Sequence, residues 1–235
     1  FSDTFCEPLA MTSAYTFASA RDAWEKFTGQ QPGNVYSRFT NPTVRAFERR
    51  IASLEGAEDA AAFASGMGAI AGLCQALLSQ GENIVCSRDV FGTTLSALRN
   101  YMGRFGVEVR LVELTDLDAW QRNIDSRTRL VLLESPTNPM LEVADLPEIL
   151  AGTRRLGVLS CVDSTFTTPL LQRPLAWGAD LVVHSVTKYL AGHSDVVLGA
   201  ATAVDPELRQ RLHAHRSRHG AIPGPFETWL ALRGI

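Results

Sequence analysis

The residue with the clearest chemical potential in this sequence is Lys188. It follows an apolar run at residues 181–184 and a short stretch that carries the hydroxyl groups of Ser185 and Thr187. A lysine that emerges from a buried strand is expected to be partly desolvated, and desolvation lowers its pKa toward the neutral amine that attacks an aldehyde. A Schiff-base lysine needs this property. The pattern is also compatible with a lysine just past a strand whose ammonium group lies in water.

A second apolar run, at residues 156–163, ends in the carboxylate Asp163. Parallel strands of an α/β sheet bring their carboxyl ends to one crevice, so Asp163 and Lys188 are predicted to face the same ligand. Such a pair suits pyridoxal phosphate, because the lysine holds the aldehyde and the carboxylate keeps the pyridine nitrogen protonated. Asp163 is equally suited to capping the turn that follows it.

Composition narrows the class of protein. The chain has 235 residues, 46% of them hydrophobic, and a net charge of −3, which is typical of a soluble chain with a sizeable core. No apolar run has the length of a membrane span and no signal peptide opens the chain, so we expect a cytoplasmic protein. A basic stretch without interleaved aromatics indicates a solvated helix face and no nucleic-acid binding. Its members are Arg209, Arg211, Arg216 and Arg218.

The histidines do not indicate a metal site, and the cysteines do not indicate a disulfide. His213 and His215 point to different sides of a predicted helix with arginines nearby, which disfavours metal ligation. The cysteines lack CxxC spacing and are predicted to be reduced thiols, mostly buried. They are Cys6, Cys74, Cys86 and Cys161.

Strand-like and helix-like segments alternate along the chain. This alternation predicts an α/β fold with a mostly parallel, doubly wound sheet. The predicted strands are residues 83–86, 107–112, 130–134, 158–163 and 181–184, and the predicted helices are residues 66–78, 93–105, 146–156 and 174–177.

Two groups of residues are suited to holding a phosphate. Ser65, Gly66 and Met67 precede a helical run, where backbone N–H groups and the helix dipole favour an anion. The glycine spacing is neither GxGxxG nor that of a P-loop, and the cluster also suits tight packing. Ser185 and Thr187, at positions i and i+2, present their hydroxyl groups on one side and can donate to the same phosphate or cap the next turn.

Six motifs resemble, in order, the Cys/Met-metabolism family of pyridoxal-phosphate enzymes. This family contains the cystathionine synthases and lyases, methionine γ-lyase and the homoserine-ester sulfhydrylases. The motifs are residues 34–43, 64–67, 90–94, 134–139, 163–166 and 185–188. The resemblance covers essentially the whole chain and implies the fold-type I, aspartate aminotransferase-like large domain with pyridoxal 5′-phosphate as cofactor.

The resemblance also implies roles for individual residues. Lys188 resembles the lysine that holds the cofactor and then acts as a base, and Asp163 the partner of the pyridine nitrogen. Seven residues resemble those that bind the cofactor phosphate in the family, and two of them, Tyr36 and Arg38, resemble residues that reach the phosphate from an adjacent subunit. The other five are Ser65, Gly66, Met67, Ser185 and Thr187.

Two further matches concern the cofactor ring. Asn138 resembles the residue near its 3-oxygen, although asparagine before proline also suits an ordinary turn. Phe91 occupies the position of a stacking aromatic that is tyrosine in most members. Phenylalanine keeps the stacking surface but moves no proton, which weakens a lyase mechanism that needs the phenol. In this respect the chain resembles the O-succinylhomoserine sulfhydrylases.

The family resemblance implies a domain organisation and an assembly. Residues 1–40 resemble part of an N-terminal arm that wraps a neighbouring subunit, and residues 41–235 a cofactor-binding large domain. A C-terminal domain, which carries the arginine for the substrate carboxylate, is expected to be missing from this chain. The expected assembly is a homo-oligomer, a dimer of dimers.

The implied activity is γ-replacement on O-succinyl- or O-acetyl-homoserine with sulfide or a thiol, in methionine or cysteine biosynthesis. Residues 189–195 look more like the cystathionine γ-synthases and γ-lyases, so these activities and that of methionine γ-lyase stay open. A cofactor-binding or assembly module without catalysis is the alternative from another class.

Overall fold

Short apolar segments form the seven strands that the computed structural model shows within residues 5–235, the part of the chain that it describes. The first four residues of the predicted arm lie outside this part. The strands are β1 (Ala60–Phe63), β2 (Asn83–Ser87), β3 (Glu108–Val112), β4 (Thr128–Glu134), β5 (Leu159–Asp163), β6 (Leu181–Ser185) and β7 (Gly199–Ala203).

Side-chain caps and prolines define where several helices begin. Asn41 accepts hydrogen bonds from the N–H groups of Thr43 and Val44, and Pro42 occupies the first helical position, where it loses no hydrogen bond. The helices are α1 (Ala20–Phe27), α2 (Pro42–Glu55), α3 (Gly66–Leu77), α4 (Gly92–Ala97), α5 (Leu117–Arg122), α6 (Leu146–Arg155), α7 (Thr168–Leu171), α8 (Pro206–His219) and α9 (Pro225–Gly234).

The strands form one sheet in the order β1-β7-β6-β5-β4-β2-β3. All neighbouring pairs from β6 to β3 are parallel, whereas β7 runs antiparallel to both β1 and β6. The prediction of a mostly parallel α/β sheet is therefore confirmed. Because β4, β5 and β6 are parallel neighbours, their carboxyl ends meet at one edge of the sheet.

Helices cover both faces of the sheet. One face packs against α3 and α8 through side chains such as Leu73 and Leu212. The other face packs against α2 and α9 at one end, through Phe47, and against α5 and α6 at the other, through Trp120 and Leu150. Both faces of the central strands are thus buried, which explains their nearly continuous apolar sequences.

Some predicted elements differ in the structure. The predicted helix 93–105 is divided into α4, a π-helical turn at Leu98–Met102 and a 3₁₀ turn at Gly103–Phe105. Gly106, with a φ of 77°, ends this segment in the left-handed conformation. Residues Pro174–Trp177 form a 3₁₀ turn instead of an α-helix. Strands β1 and β7 were not predicted.

The prediction that the basic stretch forms a solvated helix face is wrong for two of its four arginines. Arg216 is 3% exposed and pairs with Glu48, and its Nη1 donates to the carbonyl oxygen of Ala62 at 2.9 Å. Arg209 is 8% exposed and its Nη1 donates to the carbonyl oxygen of Ala203 at 3.0 Å. Helix α8 turns these guanidinium groups toward β1 and β7, where they bind strand-end carbonyls and carboxylates.

The prediction that the cysteines are mostly buried is confirmed, since Cys74, Cys86 and Cys161 are buried and Cys6 is exposed. His213 contacts Asp59, whereas the ring of His215 stacks on that of His219 with centroids 3.9 Å apart. Residues 5–235 contain no group of three His, Cys, Asp or Glu side chains placed to hold a metal. None of the helices in the same range has the length and hydropathy required to cross a membrane.

Candidate active site

A cavity of about 330 Å³ lies at the carboxyl ends of β4, β5 and β6, next to the start of α3. All the predicted site residues except Tyr36 and Arg38 line it. The lining residues are Ser65, Gly66, Met67, Ile70, Phe91, Thr94, Glu134, Asn138, Asp163, Thr165, Phe166, Ser185, Thr187, Lys188 and Val197.

Two carboxylates occupy matching positions in this cavity. Glu134 ends β4, Asp163 ends β5, and the two residues are paired in the parallel register. Desolvation by burial raises the pKa of Asp163, which the hydrogen bonds from Thr165 partly oppose. Burial, and then the charge of Asp163, raises the pKa of Glu134 to about 7. The site therefore holds two carboxylates whose charged forms are disfavoured.

Asp163 also caps the turn that follows it, as its position at the end of β5 predicts. Its Oδ1 accepts hydrogen bonds from the backbone N–H of Thr165 at 3.1 Å and from the Thr165 hydroxyl at 2.6 Å. The Thr165 hydroxyl oxygen in turn accepts from the N–H of Ser185 at 2.8 Å. Asp163 is thus oriented through a contact with the end of β6, and turn formation does not exclude a second role for its other oxygen.

The start of α3 forms a cradle of anion-binding groups. The Ser65 side chain caps the helix by accepting from the N–H of Gly68 at 2.9 Å. The N–H groups of Gly66 and Met67 lie at the first two helical positions, where an α-helix offers no internal acceptor. A Cβ at Gly66 would lie 2.7 Å from the Cβ of Ser185. Only glycine therefore allows this helix start to approach β6 so closely.

Lys188 lies in the turn after β6, and its side chain borders both the main cavity and a neighbouring cavity of about 600 Å³. The residue is exposed. The expectation of a partly desolvated lysine is therefore wrong for this chain, because Lys188 lies three residues beyond the protection of the strand. Thr187 makes a local contact: its hydroxyl donates to the carbonyl oxygen of Leu198 at 3.1 Å.

Phe91 lies at the rim of the cavity with 41% of its surface exposed. Its backbone N–H donates to Oε2 of Glu134 at 2.6 Å. Asn138, from the loop after β4, lines the same cavity. An aromatic face and a polar amide thus border the same cavity as the two carboxylates.

Tyr36 and Arg38 lie elsewhere. They line a separate cavity of about 520 Å³ together with Met11 and Ile222. Nη1 of Arg38 donates to the carbonyl oxygen of Ser217 at 2.6 Å, and its guanidinium group packs over the ring of Phe39, 4.5 Å from the centroid. Neither side chain reaches the main cavity of its own chain.

Several lining residues were not predicted as site residues, notably Glu134, Thr165 and Phe166. Glu134 had a detectable signal: like Asp163, it is an acidic residue at the end of an apolar strand. Parallel strands in register place two such residues side by side. The role of Thr165 depends on its contacts with both Asp163 and Ser185, which the sequence does not reveal.

Left-handed backbone conformations cluster in the segments that follow the three central strand ends. Among the described residues, the non-glycine residues with positive φ are Leu141 (58°), Thr168 (54°) and Ser194 (57°). These follow Asn138, Asp163 and Lys188 respectively. Such conformations cost of the order of 1–3 kcal/mol each and tend to occur where a functional site requires them.

The sequence resembles known enzymes over nearly its whole length. It is 44% identical to the O-succinylhomoserine sulfhydrylase of Pseudomonas aeruginosa, covering 97% of this chain and 57% of that protein. It is 41% identical to the L-methionine gamma-lyase of Pseudomonas putida, covering 97% of this chain and 58% of that protein. The chain therefore spans somewhat more than half the length of these relatives.

Solved structures show the same fold. The cystathionine gamma synthase of Xanthomonas oryzae pv. oryzae superposes with a TM-score of 0.91 at 34% identity, over 97% of this chain and 57% of that one. A putative O-acetylhomoserine (thiol)-lyase of Campylobacter jejuni, solved with N′-pyridoxyl-lysine-5′-monophosphate, superposes with a TM-score of 0.94 at 28% identity, over 98% and 66%. The family model of the Cys/Met metabolism PLP-dependent enzymes matches residues 2–235, and the chain belongs to this family.

Proposed function

We propose that this chain forms the cofactor-binding part of an enzyme that catalyses γ-replacement on an activated homoserine, O-succinyl- or O-acetyl-homoserine, with sulfide or a thiol. The observation that supports this function best is the composition of one cavity. It combines a lysine (Lys188), a half-buried carboxylate (Asp163) and a helix-start cradle closed by Gly66 and Ser185.

These residues fit pyridoxal 5′-phosphate, the cofactor of the family. The N–H groups of Gly66 and Met67 and the hydroxyl of Ser185 suit its phosphate. Asp163, whose pKa is raised by burial, suits a cationic pyridine N–H, because such a partner restores the charged form of the carboxylate. When bound, pyridoxal phosphate supplies an electron sink for the substrate carbanion.

Each side chain has a distinct task in the proposed reaction. Lys188 would hold the cofactor covalently, and its amine, when free, would move protons between the substrate Cα and Cβ. The ester leaves from Cγ, and the sulfur nucleophile adds to the same carbon. Phe91 offers a stacking face without a phenol, so proton transfer is left to the Lys188 amine.

The choice of reaction subtype rests on two regions. Phe91 and the similarity to the P. aeruginosa sulfhydrylase favour γ-replacement with sulfide or a thiol. Residues 189–195, several of which border the 600 Å³ cavity beside Lys188, favour a cystathionine γ-synthase, a γ-lyase or a methionine γ-lyase. This second cavity is where a larger thiol substrate has room to approach.

A substrate panel on the intact protein tests the proposal. O-succinyl- and O-acetyl-homoserine are each supplied with sulfide, methanethiol or cysteine, and L-methionine and cystathionine are supplied alone. Homocysteine, methionine, cystathionine and α-ketobutyrate are measured separately. We expect homocysteine or methionine from one ester, whereas α-ketobutyrate from methionine or cystathionine indicates a lyase. Cofactor binding without any product indicates a non-catalytic module.

We further propose that Tyr36 and Arg38 contact the phosphate in a neighbouring subunit of a homo-oligomer. The arm at residues 1–40 precedes the large domain at residues 41–235, and in its described part α1 buries none of its own residues. Trp24 and Phe27 in this helix are 55% and 60% exposed. An arm with uncovered aromatic side chains is suited to packing on another copy of the chain.

Subunit mixing tests this assembly. The Arg38→Ala and Lys188→Ala proteins are each expected to have little activity, and their mixture to regain activity only after subunits exchange. A hybrid dimer then has one site with both Lys188 and the neighbour's Arg38. If mass labelling shows exchange but no activity returns, Arg38 acts within its own chain or outside the site.

A further inference from the structure

Glu134 is the cavity carboxylate that has no task in the reaction proposed above. It is 5% exposed, ends β4 and lies beside Asp163 in the register of the sheet. A buried carboxylate is costly unless its oxygens are bound, so a residue of this kind in a ligand cavity calls for a partner. The partner in the structure is the backbone of Phe91.

The contact between Glu134 and Phe91 joins two different loops. Oε2 of Glu134 accepts from the N–H of Phe91 at 2.6 Å, across 43 positions of sequence. Phe91 directly precedes α4 and has no side-chain cap of its own. Its ring is 41% exposed and so is not held by a surrounding core. The carbonyl oxygen of Phe91 accepts from the N–H groups of Thr94 and Leu95 in α4, and Glu134 supplies the contact that ties this backbone to the end of β4.

The charges around Glu134 fit the same role. Burial and the neighbouring Asp163 raise its pKa, whereas the backbone amides of Phe91 and Asn138 act in the opposite direction. These two amides belong to residues that line the same cavity as Glu134. One carboxylate thus faces the backbones of both the stacking ring and the nearby amide side chain.

We propose that Glu134 is a positioning residue, which holds the Phe91 backbone amide and thereby fixes the aromatic ring against the cofactor. This inference rests on the proposed function, because it assumes that a pyridine ring occupies the cavity. It does not require Glu134 to donate or accept a proton during the reaction.

A double-mutant cycle on the intact protein tests the proposal with pyridoxine 5′-phosphate as the probe. This compound keeps the ring and the phosphate but has no aldehyde to bond with Lys188, so its affinity reports ring and phosphate contacts alone. We expect Glu134→Ala to weaken its binding about tenfold, the typical loss for one charge-assisted hydrogen bond. Glu134→Gln keeps an acceptor oxygen and is expected to remain within about threefold of the wild type.

The same cycle shows whether Glu134 affects probe binding through Phe91 or independently of it. In a Phe91→Ala background, Glu134→Ala is expected to cause little further loss, since coupled residues do not contribute independently. Hydrogen exchange at the Phe91 amide is expected to become faster in Glu134→Ala and to stay slow in Glu134→Gln. Glu142→Ala is the matched control, because Glu142 lies in the neighbouring loop and makes its hydrogen bonds through its backbone.

The outcomes distinguish the two proposals. Equal losses from Glu134→Ala in the wild-type and Phe91→Ala backgrounds, or unchanged exchange at the Phe91 amide, would overturn the positioning role while leaving the proposed function intact. If the wild-type protein binds neither pyridoxal phosphate nor the probe, the proposed function fails and the positioning role fails with it.

Discussion

Buried carboxylates occur in two regions of this molecule, and the two regions treat them in opposite ways. Beside β1, the carboxylates Glu48, Glu55 and Asp59 all have basic partners. At the carboxyl ends of β4 and β5, Glu134 and Asp163 form no ion pair with a lysine or arginine of the described chain. The first region pairs its carboxylates with basic side chains of the fold, whereas the second leaves its carboxylates for a ligand.

The pKa values show the same contrast. Burial raises the pKa of Asp59, but hydrogen bonds from His213 and Arg45 outweigh it and bring the pKa well below its usual range. For Asp163, burial wins and the pKa is raised. Burial of a carboxylate thus stabilises a fold or prepares a binding site, depending on whether a cation is built in beside it.

The largest effect is expected at Lys188, in the region without built-in pairs. Changing it to alanine removes the amine needed for covalent attachment and proton transfer, so activity is expected to fall by about 10⁴-fold or more. The visible absorption band of the bound cofactor should also be lost. The other lysine of the chain, Lys26, pairs with Asp22 at 2.9 Å, and Lys26→Ala is the control. Cofactor covalently fixed by borohydride in the Lys188→Ala protein would refute the assignment.

Asp163→Asn is expected to lower turnover by about 10³-fold with the fold intact, because an amide cannot stabilise a cationic pyridine nitrogen as a carboxylate does. The amide oxygen still accepts from Thr165, so the turn is preserved. Asp180→Asn is the control, since Asp180 binds Ser160 at the other end of the same strands. Steady-state rates and circular dichroism check both variants. Near-normal turnover in Asp163→Asn would mean that Asp163 serves only the turn.

Arg216→Met tests the paired region. It removes the guanidinium group that pairs with the buried Glu48 and donates to the carbonyl oxygen of Ala62 in β1, so that Glu48 keeps only Arg45 as a basic partner. We expect the free energy of unfolding to fall by about 3 kcal/mol. Urea unfolding measures this change. Arg218 is exposed on the same helix, so Arg218→Met should stay within about 0.5 kcal/mol of the wild type. Similar losses in both variants would show that the buried pair is not what distinguishes this region.

The smallest effect concerns pH. The pKa of Glu134 is raised to about 7 from an ordinary 4.5, so folding favours its protonated form. The stability from this group is therefore complete below about pH 4.5 and is lost as pH rises through about 7, by roughly 2 to 3 kcal/mol. Urea unfolding of cofactor-free protein between about pH 5 and 8 measures the slope. Glu134→Gln should flatten it, and an unchanged slope would assign the titration to Asp163 instead.

The sequence predicted the central strands and most of the cavity, because strong local patterns mark them. Strands β4, β5 and β6 are rich in leucine and valine, and their carboxyl ends carry Glu134, Asp163 and Ser185. Strands β1 and β7 consist mainly of alanine, glycine and threonine, which give no strand pattern of their own. Their conformation depends on pairing with each other and with β6, which is a tertiary effect.

The unpredicted features of the site are also those that depend on long-range contacts. Arg216 looked solvated because its sequence neighbours are polar, yet its partner Glu48 lies 168 positions away. Lys188 looked buried because the preceding strand is buried, yet the turn carries it outside. The link between Glu134 and Phe91 required two loops to meet, which no local spacing encodes.

The position of β7 has a consequence for the order in which the molecule is made. The anion-binding start of α3 directly follows β1, but among the described strands β1 pairs with β7 alone, and β7 is the last of these in chain order. Residue Gly199 of β7 also approaches the backbone of Ser65 so closely that it has no room for a side chain. A nascent chain that has not yet delivered Gly199–Ala203 thus contains Lys188 and Asp163 but lacks the strand that brings Gly66 to Ser185. The cavity is therefore completed only when β7 joins the sheet, long after Gly66 has been translated.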